Sequence, residues 1–469
     1  MKTNFKNKTN LLLIALLLAA SVVSCKKKNS DANETVVVST PQFQAGSIIT
    51  STTLSGTVKG TMQTGKTYNF ASQVTINAGD TVVMQAGVKL LATNPAAQLI
   101  VKGTLISLGT KDAPNFITGQ SMDNVQKPLN NQDPNSDPAF TPLWGGIQCD
   151  TSCKLLVIKW THLDYSGGNW GTNPLLGYAA GSAMFTILFQ NPNGIFILED
   201  SWIYGSTTDG ARVKGGKISI MRNTFEKCAY NDGEAINVKS GTVGDMAYNM
   251  IIGTAKNGLK ASNKGGLNQT NVTMYNNTMV NGGFRSIDAN RGASLNYEEG
   301  SKGLAYNNII VNCRVGLRIV GNPAADTINM HYGNTLNYGD STSIVHQFYP
   351  VAYVTHAQTT DIPKPSTFLP ANYQSGMAYT PSINLLQANN PNFANFTLPQ
   401  NAPHLRDVNS IGNHDFHLLN NSPAIGKGYT GFSPINSVSA LTNEYLRASI
   451  TLPNIDLGAY PTDGTGNKH

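Results

Sequence analysis

The chain has 469 residues, of which 40% are apolar, 8% aromatic and only 13% charged, with 45 glycines. That is ample material for a core and excludes a disordered chain, while low charge with abundant Gly, Asn and Thr points to turn-rich β-structure and away from helical bundles. The formal charge of +6 falls to +3 once an acid-free leader holding Lys2, Lys6 and Lys8 is removed. Lys26 to Lys28 then sit in a polar tail, and the near-neutral body gives no reason to expect nucleic-acid binding.

In chain order, residues 1–24 read as an export signal. A basic start precedes the apolar run Leu11 to Ala20, which is too short to span a bilayer as a mature helix. The run ends in Val22-Val23-Ser24-Cys25, similar to a bacterial lipobox, so Cys25 is the expected lipidation site. Residues 25–49 are then a flexible tether from a membrane anchor. The expected location is the cell envelope, as an outer-membrane lipoprotein facing the periplasm or the cell surface, and a monomer is expected. Cys149 and Cys153 stand in a short loop that can close as a disulfide in an oxidising compartment, whereas Cys228 and Cys313 lie in apolar strand contexts and are expected to be buried thiols.

From residue 50 the pattern is short apolar runs broken by Gly, Asn and Asp: Val74-Thr-Ile-Asn-Ala-Gly-Asp80, Thr81-Val-Val-Met84, Val88-Lys-Leu-Leu91, Leu99-Ile-Val101 and Leu105-Ile-Ser-Leu108. These predict strands of three to five residues joined by tight turns. A repeat follows. Ser201, Asn223, Asn249, Asn277, Asn308 and Asn334 each open a unit, at spacings of 22, 26, 28, 31 and 26 residues. Most units carry a second strand about ten residues later, as in Gly210-Ala-Arg-Val213 and Gly233-Glu-Ala-Ile-Asn-Val238. A unit of this length with two or three strands and no helix predicts one coil of a parallel β-solenoid, with the recurrent Asn stacked as an internal ladder.

Three further signatures are Gly109-Thr-Lys-Asp-Ala-Pro-Asn-Phe-Ile-Thr118, Trp144-Gly-Gly-Ile147 and the tail Asp415-Phe-His-Leu-Leu-Asn-Asn-Ser-Pro-Ala-Ile-Gly426 with Asn454-Ile-Asp-Leu-Gly-Ala-Tyr460. Together with the Val74–Met84 run they resemble secreted right-handed parallel β-helix proteins of Bacteroidetes-type bacteria, in the pectate-lyase-like superfamily. The resemblance implies an all-β, right-handed parallel β-helix over 50–340. An irregular excursion would follow over 341–410, and a closing segment over 411–469. It also implies polysaccharide as the partner, bound along an outer sheet.

Stacked strands repeat about every 4.8 Å, so outward side chains of successive coils form columns along an extended ligand. Counting from each unit's opening residue places Arg212, Glu234, Lys260, Asp288 and Arg318 in one charged column, which predicts either a salt-bridge ladder or a glycan-binding face. Asp232 and Glu234, two residues apart, would share a strand face and could hold Ca²⁺, with Asp200 one coil earlier as a third oxygen ligand. The run Asp232-Gly-Glu-Ala-Ile-Asn-Val-Lys239-Ser240 also looks like the acidic-x-Glu-x4-Lys-Ser motif of the alginate lyase and chondroitinase B family. That resemblance implies calcium on the acids and Lys239 as the base that removes the proton alpha to a uronate carboxylate. Lys260 stands nearest to the position where that family has arginine, and Arg212 is a further assisting cation. Hydrolysis by Asp200, Asp232 and Glu234 is an alternative use of the same carboxylates, as is a structural or adhesive role without chemistry. Trp170, in Ser-Gly-Gly-Asn-Trp-Gly-Thr-Asn, is expected on a loop as a sugar platform, whereas Trp144 and Trp160 sit in strand patterns and are expected in the core. His414 and His417 have a spacing that suggests a metal pair, but a turn in the closing segment explains His417 as well.

Overall fold

From residue 160 onward the described coils turn where a non-glycine residue adopts positive φ: Trp160, Asp200, Arg222, Tyr248, Asn276, Asn307 and Asn334 all lie between 45° and 61°. Such a residue costs backbone energy, and the residue after it offsets that cost. Ser201, Asn223, Asn249, Asn277 and Asn308 follow the corner residues and are fully buried. Each Asn side-chain oxygen accepts the backbone N–H of the equivalent residue one coil earlier, at 3.0–3.1 Å. Each amide nitrogen in turn donates to a strand carbonyl, as Asn277 does to Met246 at 3.1 Å. The predicted ladder therefore exists, with one shift. Asn334 occupies the positive-φ position and Thr335 the ladder position, because Leu336 pairs with Ile309.

The computed structural model describes residues 45–122, 134–172, 174–286, 288, 291–319, 323–345, 347–348, 387–396, 414–438 and 451–469. The export signal, Cys25 and most of the predicted tether and excursion lie outside the described residues. Within them the fold is an all-β parallel solenoid. Helix is confined there to one α-turn, Thr342–Val345, and two 3-10 turns, Gln120–Met122 and Pro138–Phe140.

Three parallel ladders run along the solenoid. The first sheet stacks ten strands from Gly60–Met62 to Met330–Gly333. The second lies across the corner from it, with Thr161–Ser166, Trp202–Ser206 and Thr224–Glu226 in successive coils. The third includes Gln98–Val101, Gly146–Cys149, Ile187–Phe189, Ala211–Lys214, Ile236–Lys239, Leu259–Ser262, Ala293–Glu298 and Val315–Arg318. The long strand Thr67–Ile76 pairs with the second sheet through its start and with the third through its end. Inward side chains such as Phe196, Leu198, Ile218, Ile220, Ala211, Val213, Ile236 and Val238 form one continuous core. That burial is the main stabilising term of a stack whose coils touch only their neighbours.

The core continues past residue 340. Ile344, Val345 and Phe348 join it, and the carbonyls of Gln347 and Phe348 accept Gly316 and Leu317 N–H. Farther on, Phe393–Asn395 pairs antiparallel with Asp415–Leu418, and Phe393, Phe416, Leu457 and Tyr460 cover Met250, Val280, Ile309 and Leu336 on the second sheet's outer face. Trp144 is core, as predicted, but Trp160 is half-buried at a corner. All four described cysteines are buried free thiols, Cys149 and Cys153 included.

Candidate functional site

The outer face of the third sheet is where charge concentrates. Along Ala211–Lys214 the pattern alternates: Ala211 and Val213 enter the core, while Arg212 and Lys214 point outward. The register then runs Arg212, Asn237, Lys260, Asn296, Arg318 as one outward column. Counting by sequence thus placed Arg212, Lys260 and Arg318 correctly. Glu234 and Asp288 are not in this column; the amides Asn237 and Asn296 take those places. Irregular turn lengths before each strand displaced the count. Asp288 lies in a loop, near Lys256 at 3.9 Å and Arg291 at 3.5 Å.

Glu234 precedes its strand and is buried beside the column. It accepts from Asn257 at 2.9 Å and Asn237 at 3.0 Å, and pairs with Lys260 at 3.4 Å. Lys260 bridges on to Glu298 at 2.9 Å, and Glu298 also takes Arg318 at 3.1 Å and Arg291. One coil earlier Arg212 Nε donates to Asp209 at 2.6 Å, and Asn237 donates to the same carboxylate at 3.1 Å. Asp209 was not singled out from the sequence; its place three residues before Arg212, matching Glu234 three before Asn237, is the signal that marks it. Burial pushes Asp209 up to about 6, with the neighbouring Glu234 charge adding to it against the pull of Arg212. Burial acts on Glu234 too, but Lys260 and Arg212 outweigh it and hold that carboxyl below its ordinary range. Glu234→Gln is expected to cost about 3–5 kcal/mol of stability, because breaking a buried pair leaves charge behind; chemical denaturation measures it.

A second outward column lies beside the first. It contains Lys214 and Lys239, directly paired on neighbouring strands, and Glu298 farther along opposite Ser262. Among the described residues neither Lys214 nor Lys239 has a carboxylate partner. Lys214 donates to Gln190 at 3.1 Å and sits 4.8 Å above the Tyr178 ring. Lys239 is half-buried, and burial, together with the charges of Arg212 and Lys260, pushes its amine down to about 8. Arg212 in turn lies 4.3 Å over Phe185.

Trp170 does not face a ligand. It is 2% exposed, packed with Ile100 and Met184, and stacked on Tyr178. The sequence marked the right loop and the wrong ring: Tyr178, half-buried beneath Lys214, is the aromatic next to the cationic column. The apolar side of the 167–185 loop claims the larger indole for packing.

The residues chosen for calcium do not come together. Asp200 is at the opposite corner, held by Arg222 at 2.7 Å. Asp232 is exposed and pairs with Lys256 at 2.6 Å, while Glu234 is turned inward to Lys260. Asp232 and Glu234 precede the strand Ile236–Lys239, so the alternation that would align them does not apply. Among the described residues no three His, Cys, Asp or Glu side chains are grouped to hold a metal. His417 bonds Asp415 at 2.6 Å through its ring nitrogen, a local turn contact.

Fold and site together define a parallel β-solenoid with a buried ion network and an adjoining pair of lysines that have no carboxylate partner among the described residues. No protein-family model matches the chain, and no curated protein is significantly similar to it.

Proposed function

We propose that the protein is an exported, lipid-anchored β-helix protein of the pectate-lyase-like kind that binds acidic polysaccharide along the outer face of its third sheet. The observation that carries this reading is the Lys214–Lys239 pair. The two lysines are register partners on neighbouring strands, and neither has a carboxylate partner among the described residues. Cations without carboxylate partners attract an anionic chain laid along the column. The strand spacing of about 4.8 Å suits an extended polymer that offers a charge to successive coils. Tyr178 adds an apolar ring face beside the same column. Export through residues 1–24 and an anchor at Cys25 would place this face in the cell envelope.

Binding of the soluble chain beginning after Lys28 to alginate, pectate, chondroitin sulfate and dermatan sulfate tests the reading, with dextran as the neutral control. The expected result is retention by at least one acidic polymer, weakened by salt and lost in the Lys214→Ala, Lys239→Ala double variant. Equal retention by dextran, or none by any acidic polymer, would overturn it.

A second reading is favoured by the depressed Lys239 amine, since a base must be neutral to act. In β-elimination the neutral amine takes the proton alpha to a uronate carboxylate. The C4–O bond breaks, a C4=C5 double bond forms, and the leaving oxygen takes a proton from water. Arg212 and Lys260 are committed to Asp209 and to Glu234 and Glu298; they act on Lys239 through their charge. No step in this scheme runs through calcium. Ultraviolet absorbance from unsaturated ends, followed on the same four polymers, separates a lyase from a binding protein.

A further inference from the structure

The corner between the first and second sheets presents one outward side chain per coil at the positive-φ position. From Tyr248 onward these side chains hold the C-terminal segment. Tyr248 donates to the Leu452 carbonyl, Asn276 to Asp456 at 2.7 Å, Asn307 to Tyr429 at 2.9 Å and Asn334 to Lys427 at 2.9 Å. At the three earlier corners, Trp160, Asp200 and Arg222, a cleft of about 660 Å³ remains between corner and segment. Its far wall includes Asn454, Asp463 and Lys468.

We propose that this cleft binds a neutral sugar ring, with the half-buried Trp160 indole as its apolar platform. Two acids, Asp200 and Asp463, and two bases, Arg222 and Lys468, line the cleft, so the charges of its lining balance. A charged ligand meets repulsion as well as attraction there, whereas a ring of hydroxyls can accept from the bases and donate to the acids. The polar groups are already fixed. Arg222 Nε and Nη2 donate to the two Asp200 oxygens at 2.7 and 2.9 Å, and its Nη1 donates to Thr451 at 2.8 Å. Asn454 donates to Asp463 at 2.7 Å. Groups held in this way lose little freedom on binding, which favours recognition of a small ligand. The volume lies within the range of about 300–1,000 Å³ typical of small-ligand sites. Stacking of a sugar's C–H face on an indole supplies the apolar part. This site is separate from the third-sheet face, and its charge balance selects a different ligand class.

Saturation-transfer NMR on the full chain with the methyl pyranosides of glucose, galactose, mannose and xylose tests the proposal, with glucuronate and glucosamine as charged controls. At least one neutral glycoside is expected to receive saturation in the parent chain and in Lys239→Ala, and to lose it in Trp160→Ala and in Asp463→Asn. Thermal melting of each variant checks that the fold persists. No transfer to any neutral glycoside, transfer that survives Trp160→Ala in a folded chain, or stronger transfer to a charged control would overturn the proposal.

Discussion

Replacing Lys239 by alanine is expected to make the protein more stable near neutral pH and to weaken its hold on acidic polysaccharide. The amine is pushed from its ordinary 10.5 down to about 8, so at lower pH the fold carries a charge that burial and two neighbouring cations oppose. A difference of that size corresponds to on the order of 3 kcal/mol at full burial, and to less for a half-buried group. The sign follows from proton linkage. The unfolded chain binds this proton more tightly than the folded one, so parent stability rises as pH climbs from about 8 to 10.5. The alanine variant lacks that rise. Denaturation curves of the two proteins should differ most at and below about pH 7 and converge above the window. Loss of one charge-assisted hydrogen bond to a polyanion lowers affinity about tenfold or more. Stability gained with binding lost is what a functional site predicts; a variant that binds as the parent does would remove Lys239 from the site. The pH course also divides the two functional readings. Binding should weaken as pH rises through about 8, because the ammonium is lost. Turnover by a lyase should increase over the same range, and should fall by about 10²–10⁴-fold in Lys239→Ala.

Asn277→Ala is expected to cost about 3–5 kcal/mol of stability by denaturant titration, from several buried groups left without partners. Asn277 Oδ1 accepts both the backbone N–H and the side-chain amide of Asn249, each at 3.0 Å. Its own amide donates to Met246 at 3.1 Å and Asn308 at 3.0 Å. Asn277→Ser should be milder, because Ser201 already holds the same position by accepting Thr161 N–H at 3.1 Å. A serine variant as damaged as the alanine one would show that the stacked amides, not the single acceptor, hold the coil.

The repeat was legible because its cause is local. From Trp160 onward a buried polar residue follows each positive-φ corner, and Asn fills that place in four successive coils, so the same residue recurs at coil length. The Asn334 shift shows the limit: two adjacent residues can exchange corner and ladder roles, and only strand register tells them apart. The candidate site was legible where its residues stand on strands. Arg212, Lys260 and Arg318 fell in one column because the period of two and the coil length fix them. Glu234, Asp232 and Asp288 stand in turns, where no period constrains the side chain, and the counted column failed there. Trp170 failed for a related reason, since a loop residue becomes a platform or a plug according to what the loop packs against.

Lys239 was marked by a resemblance to a lyase motif, whereas sequence by itself determined the solenoid and its Asn ladder. Those follow from short-range periodicity and from the obligation to satisfy buried backbone groups. Only the tertiary structure decided which charges neutralise one another. It turned Glu234 inward to Lys260, removed Asp200 to the opposite corner, brought Asp209 to Arg212 and left Lys214 and Lys239 side by side. Ion pairing depends on distances of a few ångströms between residues tens of positions apart, and stacking coils of unequal length sets those distances.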